Sequence, residues 1–443
     1  MKIPPHQRLQ LDSGTRVLML PRHDVPLLAV EAVVRGGARL DPPARAGLAS
    51  ITGEMLMRGA GGRDAFEFAE AIEGAGGSLE AGSHSEAIQL HGQFLSRDMG
   101  LLVELLADAL QRPRFDAEEL EGVRERRIEF IRAAKDSEPQ SLIGSYGRAR
   151  LFGTHPFAQP VGGSESSLPT IRIEDLAQYH AQHMGADRLT LVFAGDFDPA
   201  ALRTAVTRAF GRWRPAASPL PALTAPTRLT GRRVLLVDAP GSAQTYFWIG
   251  NTGVARGYPQ RAALEITNTA FGGSFGSMLM QALRVQHGLT YSAGSSFRRG
   301  SVPAEFAISS FTETASTALA LKITLETLDR LKQHGAQPAA LESARRYIQG
   351  QYPLNFETAA DWATALADLD LHGLPAAYID DFDAALDQVG AAQSRQVIDD
   401  AFPDSRDVDI VLIGDAARIR IDVSSFGPVT DLPLAAPEFR LAA

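Results

Sequence analysis

An arginine and a tyrosine stand seven residues apart across a glycine in Leu283-Arg284-Val285-Gln286-His287-Gly288-Leu289-Thr290-Tyr291. The residue pattern predicts a helix from about Ser277 that ends at Gly288, a good helix-terminating residue, and a strand from Tyr291 to Phe297. Arg284 and Tyr291 then project at one helix–strand corner, where a guanidinium fork and a phenol can bind and polarise a peptide carbonyl. A plainer reading stays open beside it: an arginine favoured by the helix dipole near a C-terminus, and a tyrosine ring in the core. Just upstream, Gly272-Gly273-Ser274-Phe275-Gly276 is rich enough in glycine to cradle a phosphate through backbone N–H groups. It lacks the lysine of a P-loop and the spacing of a dinucleotide fingerprint. Close backbone approach, or flexing around a peptide, is the favoured use, and Gly272, Gly273, Ser274 and Gly276 are the candidate substrate-binding positions.

The other reactive residues are less promising. Of ten histidines, His180 and His183 lie at i, i+3 on an expected helix, Ile173 to Met184, with no carboxylate to complete a metal site. They read as part of a solvated face. His84 and His91, on one continuous strand, would point to opposite faces. There is no His-Glu-x-x-His and no Gly-x-Ser-x-Gly. The absence of cysteine excludes disulfides, thiolate zinc and a cysteine nucleophile. A net charge of −9 without clustered Lys and Arg argues against nucleic acid as partner and permits cationic peptides. No window has the apolar length of a membrane span, and the opening Met1-Lys2-Ile3-Pro4-Pro5 is not signal-like. The chain reads as soluble, periplasmic if a signal was removed upstream and cytoplasmic otherwise.

The elements that must hold these residues are written twice. Arg16-Val17-Leu18-Met19-Leu20 recurs as Arg233-Val234-Leu235-Leu236-Val237, an offset of 217. Leu189 to Asp196 recurs as Val408 to Asp415, with Gly195 and Gly414 offset by 219. Each half continues with a second strand (Leu28 to Val34; Thr245 to Ile249), a short helix (Gly47 to Arg58; Ala262 to Phe271) and longer helices. The longer helices are expected over Ser96 to Gln111, Asp116 to Ala134, Thr314 to Gln333 and Pro338 to Gln351, with Asp116 and Ser316 as caps by residue type. Four prolines between Pro215 and Pro226 make a stiff strap. The expected fold is α+β: two duplicated domains, 1–214 and 231–443, each a mostly antiparallel sheet packed with helices, joined by a Pro-rich linker at 215–230.

The stretch from Gly272-Gly273 through Ser277, Leu283-Arg284 and Gly288-Leu289-Thr290-Tyr291-Ser292 resembles the C-terminal-domain signature of the pitrilysin/insulinase zinc peptidases. Arg35-Gly36-Gly37-Ala38-Arg39-Leu40-Asp41-Pro42 and Gly47-Leu48-Ala49 resemble its N-terminal half. In that family the helix after Gly-Leu-Ala carries His-x-x-Glu-His, with a distal glutamate as third zinc ligand. Here the motif positions read Ser50, Gly53 and Glu54, and alignment sets Phe130 at the distal ligand, with Glu129 one residue off. The resemblance therefore implies a subunit without metal or cofactor of its own. It implies a zinc-bearing homologous partner, a clamshell heterodimer closing on unfolded peptides, and Arg284 and Tyr291 serving the partner's site as substrate holder and oxyanion donor. A catalytically inert scaffold subunit and a stand-alone peptide-binding module are the alternatives.

Overall fold

The computed structural model describes residues 1–441. Twelve strands form two six-stranded sheets. The first contains β1 (Gln7–Gln10), β2 (Arg16–Pro21), β3 (Leu27–Arg35), β4 (Ser78–Ser83), β5 (Ala87–Leu95) and β6 (Leu189–Gly195) in the order β1-β2-β6-β3-β5-β4. The second contains β7 (Arg233–Asp238), β8 (Gln244–Thr252), β9 (Ala293–Phe297), β10 (Glu305–Glu313), β11 (Asp409–Gly414) and β12 (Val429–Pro433) in the order β12-β7-β11-β8-β10-β9. β2 and β6 pair in parallel, as do β7 and β11, and the pairs that follow them in each sheet are antiparallel. The halves differ at the outer edge, where β1 is antiparallel to β2 but β12 is parallel to β7. The fold class is α+β, with two sheets of mixed but mainly antiparallel pairing.

Alternate residues of a strand face opposite sides of its sheet. In β2, Val17 and Met19 enter one core while Leu18 and Leu20 enter the other; in β7, Leu235 and Val237 oppose Val234 and Leu236 in the same way. Both faces of each sheet are thus apolar, which explains the unbroken aliphatic runs at these strands. The second face of each sheet is covered from the other half. The helix Ala359–Leu371 packs on β3 and β6, and the helix Ile143–Phe152 packs on β8 and β11. Gly147 allows the latter approach, since a Cβ there would stand 2.7 Å from the indole of buried Trp248.

Several expected elements end differently. The helix expected over Ala262 to Phe271 is α-helical over Arg261–Asn268 and widens into a π-turn at Thr269–Gly273. The one expected from Ser277 is α-helical only over Met278–Met280 and π-helical over Gln281–Gln286. Asp116 and Ser316 occupy N-cap positions, yet neither side chain caps. Asp116 instead takes the Arg114 guanidinium at 2.8 Å. Residues 215–230 hold no helix or strand.

Candidate functional site

The short helix Leu48–Met55 is held at its start by Asp41, whose carboxylate accepts from the N–H groups of Gly47 and Ala49, each at 2.9 Å. Gly47 has φ 96°, and a Cβ there would stand 2.8 Å from the Gly163 backbone, so only glycine fits this entry. Leu48, Ile51 and Met55 point into the core. Ser50 and Glu54, one turn apart, lie on the other face towards the long helix Ala117–Ser137.

What meets them there is Arg127. Its guanidinium donates to Ser50 Oγ at 2.8 Å, to the Ser50 carbonyl at 3.2 Å and to Glu54 Oε2 at 2.8 and 3.0 Å. Arg126 reaches Glu54 Oε1 at 3.2 Å and Arg58 stands 3.6 Å from the same oxygen. Burial alone would raise the Glu54 carboxyl, but Arg127, Arg126 and Arg58 more than offset it and hold its pKa below the ordinary glutamate value. The group is ionised and fully compensated, so it is not a free negative charge for basic peptides.

These residues do not fit a zinc ion. Gly53 offers no donor, Ser50 offers a neutral hydroxyl already taken, and a cation stands between the two remaining side chains. Among the described residues, no three His, Cys, Asp or Glu side chains come together as a metal-binding group. Phe130 is 69% exposed, and the side chain that its helix sets against Ser50 and Glu54 belongs to Arg127, one turn earlier. His180 and His183 are not on a solvated face. His180 is largely buried, with Nε2 2.8 Å from the Leu110 carbonyl and its ring edge-on to Phe115, and burial lowers its pKa.

The second cluster lies in the C-terminal half. After the π-turn, Gly288 adopts φ 62°, its N–H returning to the Arg284 carbonyl at 3.1 Å and that of Leu289 to Leu283 at 2.8 Å. Arg284 and Tyr291 meet at this corner. Arg284 Nη1 donates to the Tyr291 carbonyl at 3.1 Å, and the guanidinium carbon lies 4.3 Å from the Tyr291 ring centre and 4.8 Å from that of Phe275. The tyrosine ring is not in the core: it is 72% exposed, and Phe275 is 66% exposed. Ser310 on β10 pins the loop by donating to the Ser292 carbonyl at 2.7 Å, with Thr290 Oγ1 3.2 Å from the same hydroxyl. The backbone of this corner is fixed while its phenol is presented outward.

The glycines of the preceding loop divide. A Cβ on buried Gly272 would stand 2.7 Å from the Ser295 N atom, so this glycine lets the π-turn lie against β9. Gly273 is exposed, and a Cβ there would be 3.3 Å from the Asn268 carbonyl. Gly276 has nothing within 4 Å. Ser274 Oγ donates to the Thr269 carbonyl at 3.1 Å. Gly273 and Gly276 thus remain open to a ligand, and Gly272 serves packing.

Residues 16–164 match the profile described as Insulinase (Peptidase family M16), and residues 170–348 match that described as Peptidase M16 inactive domain. A protein named as an uncharacterized zinc protease of Mycobacterium leprae is 27% identical over 369 residues, 82% of each chain. A protein of Helicobacter pylori named as a non-peptidase homolog is 27% identical over 385 residues, covering 84% of this chain and 85% of that one. The crystal structure of a peptidase M16 inactive domain from Pseudomonas fluorescens superposes with a TM-score of 0.86 at 23% identity, covering 93% of this chain and 98% of the other.

Proposed function

Because the chain belongs to the insulinase family of peptidases, M16, we propose that it is the zinc-less subunit of a two-chain metalloendopeptidase. The observation that carries this reading is the exposed Arg284–Tyr291 pair on a pinned loop, in a chain whose own motif helix is closed by Arg127. The partner is a homologous chain with an intact zinc motif, and the two enclose unfolded peptides like the halves of a clamshell. Tyr291 donates its O–H to the carbonyl oxygen that gains charge as the peptide bond is attacked. Arg284 holds the peptide with the N–H groups not spent on the Tyr291 carbonyl, and the open Gly273–Gly276 segment lies along the substrate. A preorganised donor of this kind is worth roughly 3 kcal/mol, about a hundredfold in rate.

The test is to assay an unstructured peptide with this chain, with a zinc-bearing homologous subunit, and with both. Turnover is expected only in the mixture and should fall about a hundredfold with Tyr291→Phe. Full activity of the partner alone would overturn the reading. The relative named as a non-peptidase homolog favours a second reading, an inert scaffold subunit. That reading predicts complex formation with no dependence of any activity on Tyr291.

A further inference from the structure

Around Glu54 the charge is strongly unbalanced. Three guanidinium groups, those of Arg58, Arg126 and Arg127, converge on one carboxylate, and among the described residues no other carboxylate pairs with any of the three. The patch carries a local charge of +2 on a chain whose net charge is −9. The arginines are not equally committed. Arg127 spends its donors on Ser50 and Glu54, whereas Arg126 uses only Nη2 and its side chain is 56% exposed. Arg58 is held only loosely, its Nη2 3.6 Å from Glu54 Oε1 with the side chain 38% exposed.

The helix adds a second feature. Residues four apart lie on one stripe, so Arg126 and Phe130 project together, with Glu129, three residues after Arg126, on the flank of the same stripe. Glu129 is taken by Arg132 at 2.8 Å. An exposed phenyl ring therefore flanks the free donors of Arg126 on one side, and the acid on the other side is already engaged by Arg132.

We propose that this patch, at the former zinc position, is a binding site for acidic peptide segments. It takes an Asp or Glu side chain on Arg126 and Arg58, with a neighbouring apolar residue on Phe130. Arg127 acts as a positioning residue, holding Glu54 so that the other two arginines face outward. The choice of a peptide over another anion rests on the function proposed above. In that setting the site is a non-cleaving subsite that selects acidic stretches of substrate.

The test uses the full chain alone, so that it can fail separately from the two-chain reading. A labelled unstructured peptide rich in Asp, Glu and Leu is titrated by fluorescence anisotropy beside the same peptide with Asn and Gln in place of the acids. Only the acidic peptide should bind, and binding should fade between about 0.05 M and 0.5 M salt. Arg126→Gln should weaken it about threefold and Arg126→Glu more. Glu54→Gln, which removes the acid that the three arginines share, should tighten it about threefold, a gain that misfolding cannot imitate. Arg203→Gln, at an exposed arginine bonded to Gln7, should change nothing. Equal binding of the two peptides, or indifference to both Glu54→Gln and Arg126→Glu, would overturn the proposal.

Discussion

A guanidinium and a divalent cation cannot share the space between positions 50 and 54. At roughly 4 Å, even with an effective dielectric near 20, their repulsion amounts to several kcal/mol. Restoring the motif letters alone, as Ser50→His, Gly53→Glu and Glu54→His, should therefore leave the chain without bound zinc, since Arg127 loses its carboxylate and stays as an unpaired charge. Adding Arg127→Ala should raise zinc retention after dialysis, measured by elemental analysis. A triple variant that kept one zinc per chain would show that Arg127 does not block the site. Of this arrangement, the sequence made the degenerate triad legible, because Ser50, Gly53 and Glu54 follow Gly47-Leu48-Ala49 locally. Arg127 was not legible, because it lies 73 residues beyond Glu54 and meets it only through packing of two helices. The corner of Arg284 and Tyr291 was readable from a local signal, the glycine that ends the turn, but the stacking of Phe275 on the same guanidinium was not.

Elements show where local pattern and tertiary packing part company. Helical periodicity found the helices around Phe271 and Leu283, but not their widening into π-turns, which changes the hydrogen-bond register without changing the apolar stripe. The inner strands β2, β3, β6, β7, β8 and β11 were found by their apolar runs, whereas β1, β10 and β12 were not foreseen; what the runs do not reveal is which helix covers the second face. Glu31 marks that hidden contact. It sits in the middle of β3, 5% exposed, beneath the helix Ala359–Leu371. Burial raises its carboxyl from 4.5 to about 7, against a lowering by its hydrogen bond with Thr364. Because the folded pKa lies above the unfolded one, the folded chain holds this proton more tightly. The stabilisation is full below pH 4.5 and is lost as pH rises through about 7. Glu31→Gln should match the parent in acid and exceed it near pH 8 by on the order of 2–3 kcal/mol, read from urea unfolding across pH. Parallel stability curves for the two proteins would contradict this.

For the molecule as a whole, the exchange of helices turns two similar halves into one folding unit. Each seam is closed by a partly buried polar cluster, and the two clusters are related but not copies. Arg16 on β2 lies opposite Thr190 on β6, and Arg233 on β7 lies opposite Asp409 on β11. In the first seam the acid comes from the visiting helix: Asp370 accepts from Thr190 at 2.6 Å, Arg16 at 3.1 Å and Arg35 at 3.2 Å. In the second the acid is on the strand. Asp409 takes Arg233 at 2.8 Å, with Arg150 of the visiting helix at 3.7 Å. Moving the acid from helix to strand makes each visiting helix specific for its own sheet, since exchanging them would leave Arg16 and Arg35 without an acid and would set Asp370 against Asp409. The repeat offsets reveal two similar halves, but such offsets cannot say that each half is completed by the other. A chain of residues 1–214 alone would lose the cover over β3 and β6 and leave Arg16 and Arg35 unpaired. It should be insoluble or bind a dye specific for exposed apolar surface, and so should residues 231–443, which would lack the helix on Trp248. Co-expression of 1–230 with 231–443 should give a soluble complex with cooperative thermal unfolding, because both seams can then form. Independent cooperative unfolding of either fragment would mean that the halves are autonomous domains and that the exchanged helices contribute little to their stability.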